Sequence, residues 1–247
     1  MSTSKREQPS VSSGVAAAVL LFCAFFTTSA SAQGKPHVFY SLTLERFEYR
    51  VGEENEVGAW DGDFVIGRDE LKFRIQSEGE YEKAASAFET LENQFLLQRP
   101  ISDFFDAKLG VRFDTPDGPD RTYGVLGVQG LAPQWFEVDV DLFLSEKGDL
   151  SARLDLDYEL LFTNRLILTT GLEVDGAFSD DEAIGVGSGL GKVEVGTRLS
   201  YDLVDRSVAP YLGVHYEHLF QDTRRFAQAE GERTSEWFFV AGVRLQF

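Results

Sequence analysis

Glu236-Trp237-Phe238-Phe239-Val240-Ala241-Gly242-Val243-Arg244-Leu245-Gln246-Phe247 closes the chain with an apolar side chain at every odd position, while Gly242, Arg244 and Gln246 sit among the even ones. Side chains along a β-strand point alternately to two faces, so a period of two sustained over this length reads as a strand with one apolar face. The pattern recurs upstream. In residues 150–162, Leu150, Ala152, Leu154, Leu156, Tyr158, Leu160 and Phe162 share one face, and Ser151, Arg153, Asp155, Asp157 and Glu159 the other. Phe136, Val138, Val140, Leu142 and Leu144 alternate with Glu137, Asp139, Asp141 and Phe143, and similar runs occur around Leu71, Leu109, Leu166 and Val193.

About twelve such strands are predicted, starting near residues 38, 57, 70, 88, 104, 121, 134, 150, 165, 191, 208 and 236, with ten as the alternative count. Runs of roughly 10–13 residues suit tilted membrane strands, whereas strands of soluble domains are usually about 5–6 residues long. The connections alternate in length. Arg68-Asp69, 100–103, Ala132-Pro133, Thr163-Asn164 and 204–207 are tight; 52–56, 82–87, 115–120, 146–149, 179–190 and 221–235 lie between them, and several are long. Short turns on one side and longer loops on the other are the habit of outer-membrane barrels. The ending on an aromatic residue resembles the last strand of such a barrel, and an even strand count leaves both chain ends on the periplasmic side. The expected fold is all-β, a transmembrane antiparallel barrel at 38–247. A soluble β-sandwich or lipocalin-like barrel with its apolar faces inward is the alternative, because alternation by itself does not say which face points out.

The other end of the chain reads as an address. Lys5 and Arg6 precede an apolar run from Val15 to Phe26, and Ala30-Ser31-Ala32 matches a cleavage signal, so residues 1–32 read as a secretory signal peptide and 33–37 as a short periplasmic segment. The only Cys (Cys23) and the only Met (Met1) fall within that signal. The expected mature chain therefore has no disulfide and no soft sulfur ligand. The net charge of −18 argues against nucleic acid and for cations as partners. No apolar run after the signal is long enough for a membrane helix, so a membrane crossing must be a closed barrel, which alone satisfies every backbone group in lipid.

Several ordered segments carry a family likeness: Trp60-Asp61-Gly62-Asp63, Ser77-Glu78-Gly79-Glu80, Gly110-Val111-Arg112-Phe113-Asp114, Gly127-Val128-Gln129-Gly130-Leu131-Ala132-Pro133, Trp135-Phe136-Glu137, Arg165-Leu166-Ile167-Leu168, Gly187-Ser188-Gly189-Leu190 and Ala209-Pro210-Tyr211-Leu212-Gly213-Val214. Together they resemble the copper resistance protein B family over residues 38–247. The resemblance implies a protein of the Gram-negative outer membrane that binds copper ions and contributes to copper resistance and homeostasis, by efflux or sequestration, with periplasmic copper-handling proteins and membrane lipid as partners. Copper is expected as a bound ion, not as a requirement for folding. Members often carry a Met- and His-rich segment before the barrel; at that place stand only Gln33-Gly34-Lys35-Pro36-His37.

With apolar faces toward lipid, the lumen receives Asp61, Asp63, Glu78, Glu80, Glu137, Asp139, Asp141, Asp155, Asp157, Glu159, Glu173, Asp175, Glu194, Asp202 and Glu217, against Lys72, Arg74, Lys108, Arg112, Arg153, Arg198 and Arg244. An acidic lumen inside a low-dielectric wall concentrates cations; opposite charges on neighbouring strands also form ladders that simply hold the wall together. Without thiol or thioether, copper ligation rests on imidazole and carboxylate, which suit Cu(II). His215 and Glu217 share the inward face and are the leading ligand pair, with Asp61 and Asp63 as groups from across the lumen and His37 as a further candidate. His218 is expected to face lipid or the aromatic rim. A cation-favouring porin, or a structural barrel without a specific copper site, is the rival reading. Catalysis would need a set such as Ser200, Asp202 and His215, and no flanking sequence resembles outer-membrane hydrolases, so a non-enzyme is expected.

Overall fold

The computed structural model describes residues 37–53, 55–83, 87–115, 118–204 and 206–247. The signal-peptide reading and most of the 33–37 segment lie outside the described residues. Twelve strands follow one another as β1 (Phe39–Val51), β2 (Glu56–Arg68), β3 (Leu71–Glu82), β4 (Ala87–Pro100), β5 (Phe105–Asp114), β6 (Arg121–Ala132), β7 (Phe136–Ser145), β8 (Leu150–Leu161), β9 (Leu166–Ala177), β10 (Gly189–Tyr201), β11 (Val208–Leu219) and β12 (Ser235–Gln246). Each pairs antiparallel with its sequence neighbour, and β1 pairs with β12 to close the barrel. Closure joins the chain ends: the backbone N–H groups of Leu42 and Phe247 donate to each other's carbonyl oxygens at 2.9 Å. Among the described residues no helix is long and apolar enough to cross a membrane, which says nothing against crossing by strands.

The barrel decides what alternation left open. Leu212, Trp237 and Phe239 point outward with 69%, 63% and 76% of their surface exposed, while Lys108 and His215 point inward and are buried. A soluble barrel would have these faces reversed. An apolar exterior around a charged interior is stable only where the surroundings are hydrocarbon. At the outer surface near the loop end, Tyr216, His218, Phe220 and Trp237 form an aromatic group, with the Tyr216 and Trp237 rings 4.5 Å apart and the Tyr216 hydroxyl 3.2 Å from His218 Nδ1. Amphipathic rings of this kind sit at membrane interfaces.

Two local features depart from simple alternation. β1 is bulged between Leu44 and Arg46 on its β2 side. Its outward residues are therefore Tyr40 and Leu42 before the bulge, but Phe47, Tyr49 and Val51 after it, and the extra residue turns Glu45 as well as Arg46 into the lumen. The β6–β7 turn is a 3₁₀ turn, Pro133–Trp135, with Gln134 and Trp135 at φ of 68° and 69°; it delays β7 to Phe136. The long loop after β11 also holds a helix, Gln221–Glu230, ending at Gly231 with φ of 85°. The helix was not expected from the sequence, although a glycine in the left-handed conformation is the usual stop signal.

Candidate functional site

Strand register assembles the lumen. Most inward charges are tied to opposite partners. Arg46 donates to Asp61 at 2.8 Å, Arg74 Nε to Asp63 at 2.5 Å, and Lys108 Nζ to Asp139 and Asp141 at 2.6 and 2.8 Å. Arg153 Nε lies 2.9 Å from Asp175 and 3.2 Å from Glu173. Glu48, whose side chain is fully buried, accepts from Arg50 Nε at 2.7 Å, from Arg198 Nε and Nη2 at 2.8 and 2.7 Å, and from the Tyr211 hydroxyl at 2.9 Å. The Tyr211 contact is made over Gly242, which stands between them on β12. A Cβ there would come within 2.6 Å of the Tyr211 hydroxyl and 2.7 Å of Glu48 Cβ, so the position requires glycine.

A different group lies on β10 and β11, toward the loop end. Glu194 pairs with Glu217 and Gly196 with His215 across the two strands. Donor atoms of Glu194, His215 and Glu217 lie within 4.8 Å of one another. His215 is 2% exposed, and neither ring nitrogen has an aligned hydrogen bond among the described residues. Its Nε2 stands 3.2 Å from Glu194 Oε2, within reach of an ion pair but off the line of a hydrogen bond. A buried imidazole without an aligned hydrogen bond is costly unless something else binds it. Gly196 opposite leaves room for the Arg198 guanidinium, since a Cβ there would stand 2.3 Å from its Nη1, while His215 Nδ1 would be in ordinary contact at 3.4 Å. Ligands on opposite sides of an ion bound at about 2.0–2.1 Å are about 4 Å apart. The three side chains therefore need only a small rotation to share one ion.

His215 and Glu194 line a lumen cavity of about 560 Å³ that also reaches Asp61, Asp63, Asp155 and Asp157. Of the sequence-selected residues, His215 and Glu217 come together. Asp61 and Asp63 share the cavity but are engaged by Arg46 and Arg74. His37 is exposed ahead of β1 at the end where the chain termini meet, several residues along the wall from His215. Glu194 was placed in the lumen but not among the ligands. The signal that finds it is cross-strand register, which is not local to either strand. Ser200 and Asp202 do not join His215. Ser200 pairs with Tyr211, four residues and roughly 13 Å along the strand at about 3.3 Å per residue, and its hydroxyl donates to the Ile167 carbonyl.

Lys192 pairs with Glu194 from the neighbouring inward position. Arg50 and Arg198, the next cations, lie near the imidazole while donating to Glu48. The group thus presents one imidazole and two carboxylates, with Lys192 paired to Glu194, a donor set for a divalent ion of borderline character.

The family model described as "Copper resistance protein B precursor (CopB)" matches residues 38–247. Copper resistance protein B of Escherichia coli is 35% identical over 208 residues, covering 84% of this chain and 69% of that protein. A copper resistance protein B homolog of Pseudomonas syringae pv. tomato is 32% identical over 206 residues, covering 83% and 69%. Among solved structures, the KdgM porin is similar with a TM-score of 0.48 and 13% identity, covering 84% of this chain and 99% of that one.

Proposed function

This chain belongs to the copper resistance protein B family and is an outer-membrane β-barrel, and from that premise we propose that it contributes to copper resistance by binding Cu(II) inside its lumen. The observation that carries the reading is the buried His215, without an aligned hydrogen bond, beside Glu194 and Glu217. His215 supplies the nitrogen that selects copper over hard cations such as calcium; Glu194 and Glu217 supply charge and oxygen donors. The described residues offer no thiol or thioether, so the ion bound there is Cu(II) and not Cu(I). The ring of acidic side chains raises the local concentration of the ion before it is bound. Copper acts here as cargo, and the barrel folds without it. Periplasmic copper-handling proteins are the partners that would deliver or receive it.

The rival reading is a cation-favouring barrel without a selective site. The ion pairs that neutralise much of the lumen favour it. The refolded protein separates the two by copper stoichiometry and by the Cu(II) electron paramagnetic resonance spectrum, with zinc and calcium as competitors. The expected result is one Cu(II) with a single nitrogen ligand that resists calcium, lost in His215→Ala and weakened in Glu217→Gln. Copper that binds no better than calcium, and equally in His215→Ala, would leave only the rival.

A further inference from the structure

Strand register places six carboxylates in one unbroken row. Asp139 opposes Asp155, Asp155 opposes Glu173, Glu173 opposes Glu194, Glu194 opposes Glu217, and Glu217 opposes Glu236. Like charges directly opposed on a sheet destabilise it, and here five such pairs follow one another. The adjacent row on the same strands behaves differently: Asp141, Arg153, Asp175 and Lys192 alternate in sign. A structural charge ladder accounts for that second row. It accounts for only part of the first, where two of the six carboxylates are left without a cation among the described residues.

The row also has a direction. Barrel strands tilt by about 35–45°, so residues directly opposed across successive strands climb along the barrel axis. Asp139 is the fourth residue of β7, counted from the end where the chain termini meet, and Glu236 is the second residue of β12, counted from the loop end. The carboxylates therefore run up one wall from near one mouth to near the other. Cations flank four of them. Lys108 holds Asp139, Arg153 holds Glu173, Lys192 holds Glu194, and Arg233 Nη1 lies 3.4 Å from Glu236. Asp155 and Glu217 have no ion pair within 4.0 Å among the described residues. Beside the row stands the His215 imidazole, buried, without an aligned hydrogen bond and 3.2 Å from Glu194.

We propose that this row is a conduction path for divalent cations through the barrel, with Asp155 as one station and the Glu194–His215–Glu217 group as the next. Cations sit on Asp139 and Glu173, the neighbours of Asp155, and on Glu194, so an ion held at either station can leave it, as conduction through several sites requires. The path rests on the copper reading only for the identity of its ion.

The test uses the full chain in lipid vesicles containing a trapped divalent-ion dye, with copper or zinc chloride added outside. Asp155→Asn is compared with Asp157→Asn, a neighbouring inward carboxylate on the same strand that lies off the row and also lacks an ion-pair partner. Folding of both is checked by heat-modifiable gel mobility. Asp155→Asn is expected to slow divalent entry by about tenfold, because it removes a station as well as a charge. Asp157→Asn, which takes the same charge from the lumen and no station, should slow it by no more than about threefold. Copper stoichiometry at the His215 group should be unchanged in Asp155→Asn. Equal entry rates in the two variants, or entry no faster than in protein-free vesicles, would overturn the path. If instead His215→Ala leaves bound copper unchanged while Asp155→Asn still slows zinc entry, the path stands and the copper site fails.

Discussion

Replacing Glu48 by Gln perturbs the most densely bonded charge in the lumen. The carboxylate is fully buried and accepts four hydrogen bonds, three of them from Arg50 and Arg198 and one from Tyr211. Hydrogen bonds to a charged group contribute about 1.5–3 kcal/mol each, but they are not additive, because the same charge serves all four. The better guide is the cost of leaving one side of a buried ion pair uncompensated, about 3–5 kcal/mol. Glutamine keeps one acceptor oxygen and turns an amide N–H₂ toward a guanidinium, so the full cost should appear. The expected loss is about 3–5 kcal/mol, or two to nearly four powers of ten in the unfolding equilibrium constant at about 1.4 kcal/mol per tenfold. Urea unfolding of the barrel in lipid vesicles, followed by fluorescence of its tryptophans, measures this directly. Tyr211→Phe removes one neutral donor from the charged group and should cost less, about 1.5–3 kcal/mol. Glu48→Gln also releases Arg50 and Arg198 beside His215, so copper affinity should fall with stability. If Glu48→Gln costs no more than Tyr211→Phe, the carboxylate is not the anchor its contacts describe.

Two further outcomes are expected. Lys108→Met removes a fully buried ammonium that bridges Asp139 and Asp141; it should cost about 3–5 kcal/mol in the same urea titration, and adding Asp141→Asn should recover part of the loss. At the loop end, Asp181 accepts from Arg121 Nε at 2.9 Å and from Lys147 at 3.1 Å, joining the loop after β9 to β6 and to the loop after β7. These donors hold the Asp181 carboxyl below the usual carboxylate range. A lowered folded value means that the brace contributes fully above the unfolded value of about 3.9 and is lost as pH falls through the folded one. Hydrogen exchange, corrected for intrinsic rate, should therefore report protected loops at pH 7 and pH 5 and opened loops in stronger acid. Asp181→Asn should lack the protection at every pH, at a cost of about 1 kcal/mol; protection that persists in the variant would remove the brace.

Much of this barrel was legible in the chain. The alternation of Trp237, Phe239, Ala241, Val243 and Leu245 belongs to one strand, and so does that of Leu150 to Phe162. Such local periods yielded the twelve strands, their order, the tight and long connections, and the placement of Glu194, His215 and Glu217 on the faces opposite the apolar ones. Even the β1 bulge left a local trace, because the apolar parity switches between Leu44 and Phe47. Direction was not legible, since an alternating strand is the same pattern whichever face meets lipid; closure, with Phe239 outside and Lys108 inside, decided it. Nor were the partnerships. Glu194 meets Glu217 and Glu173 only through register, which is set by turn lengths, bulges and the closing β1–β12 pair over residues far apart in the chain. Register separates Asp61, paired with Arg46, from Glu217, which has no such partner. The sequence by itself determined which side chains share a face, because that depends on a period of two within each strand; only the tertiary structure decided which face is the lumen and which of its side chains oppose one another, because that depends on how all twelve strands close.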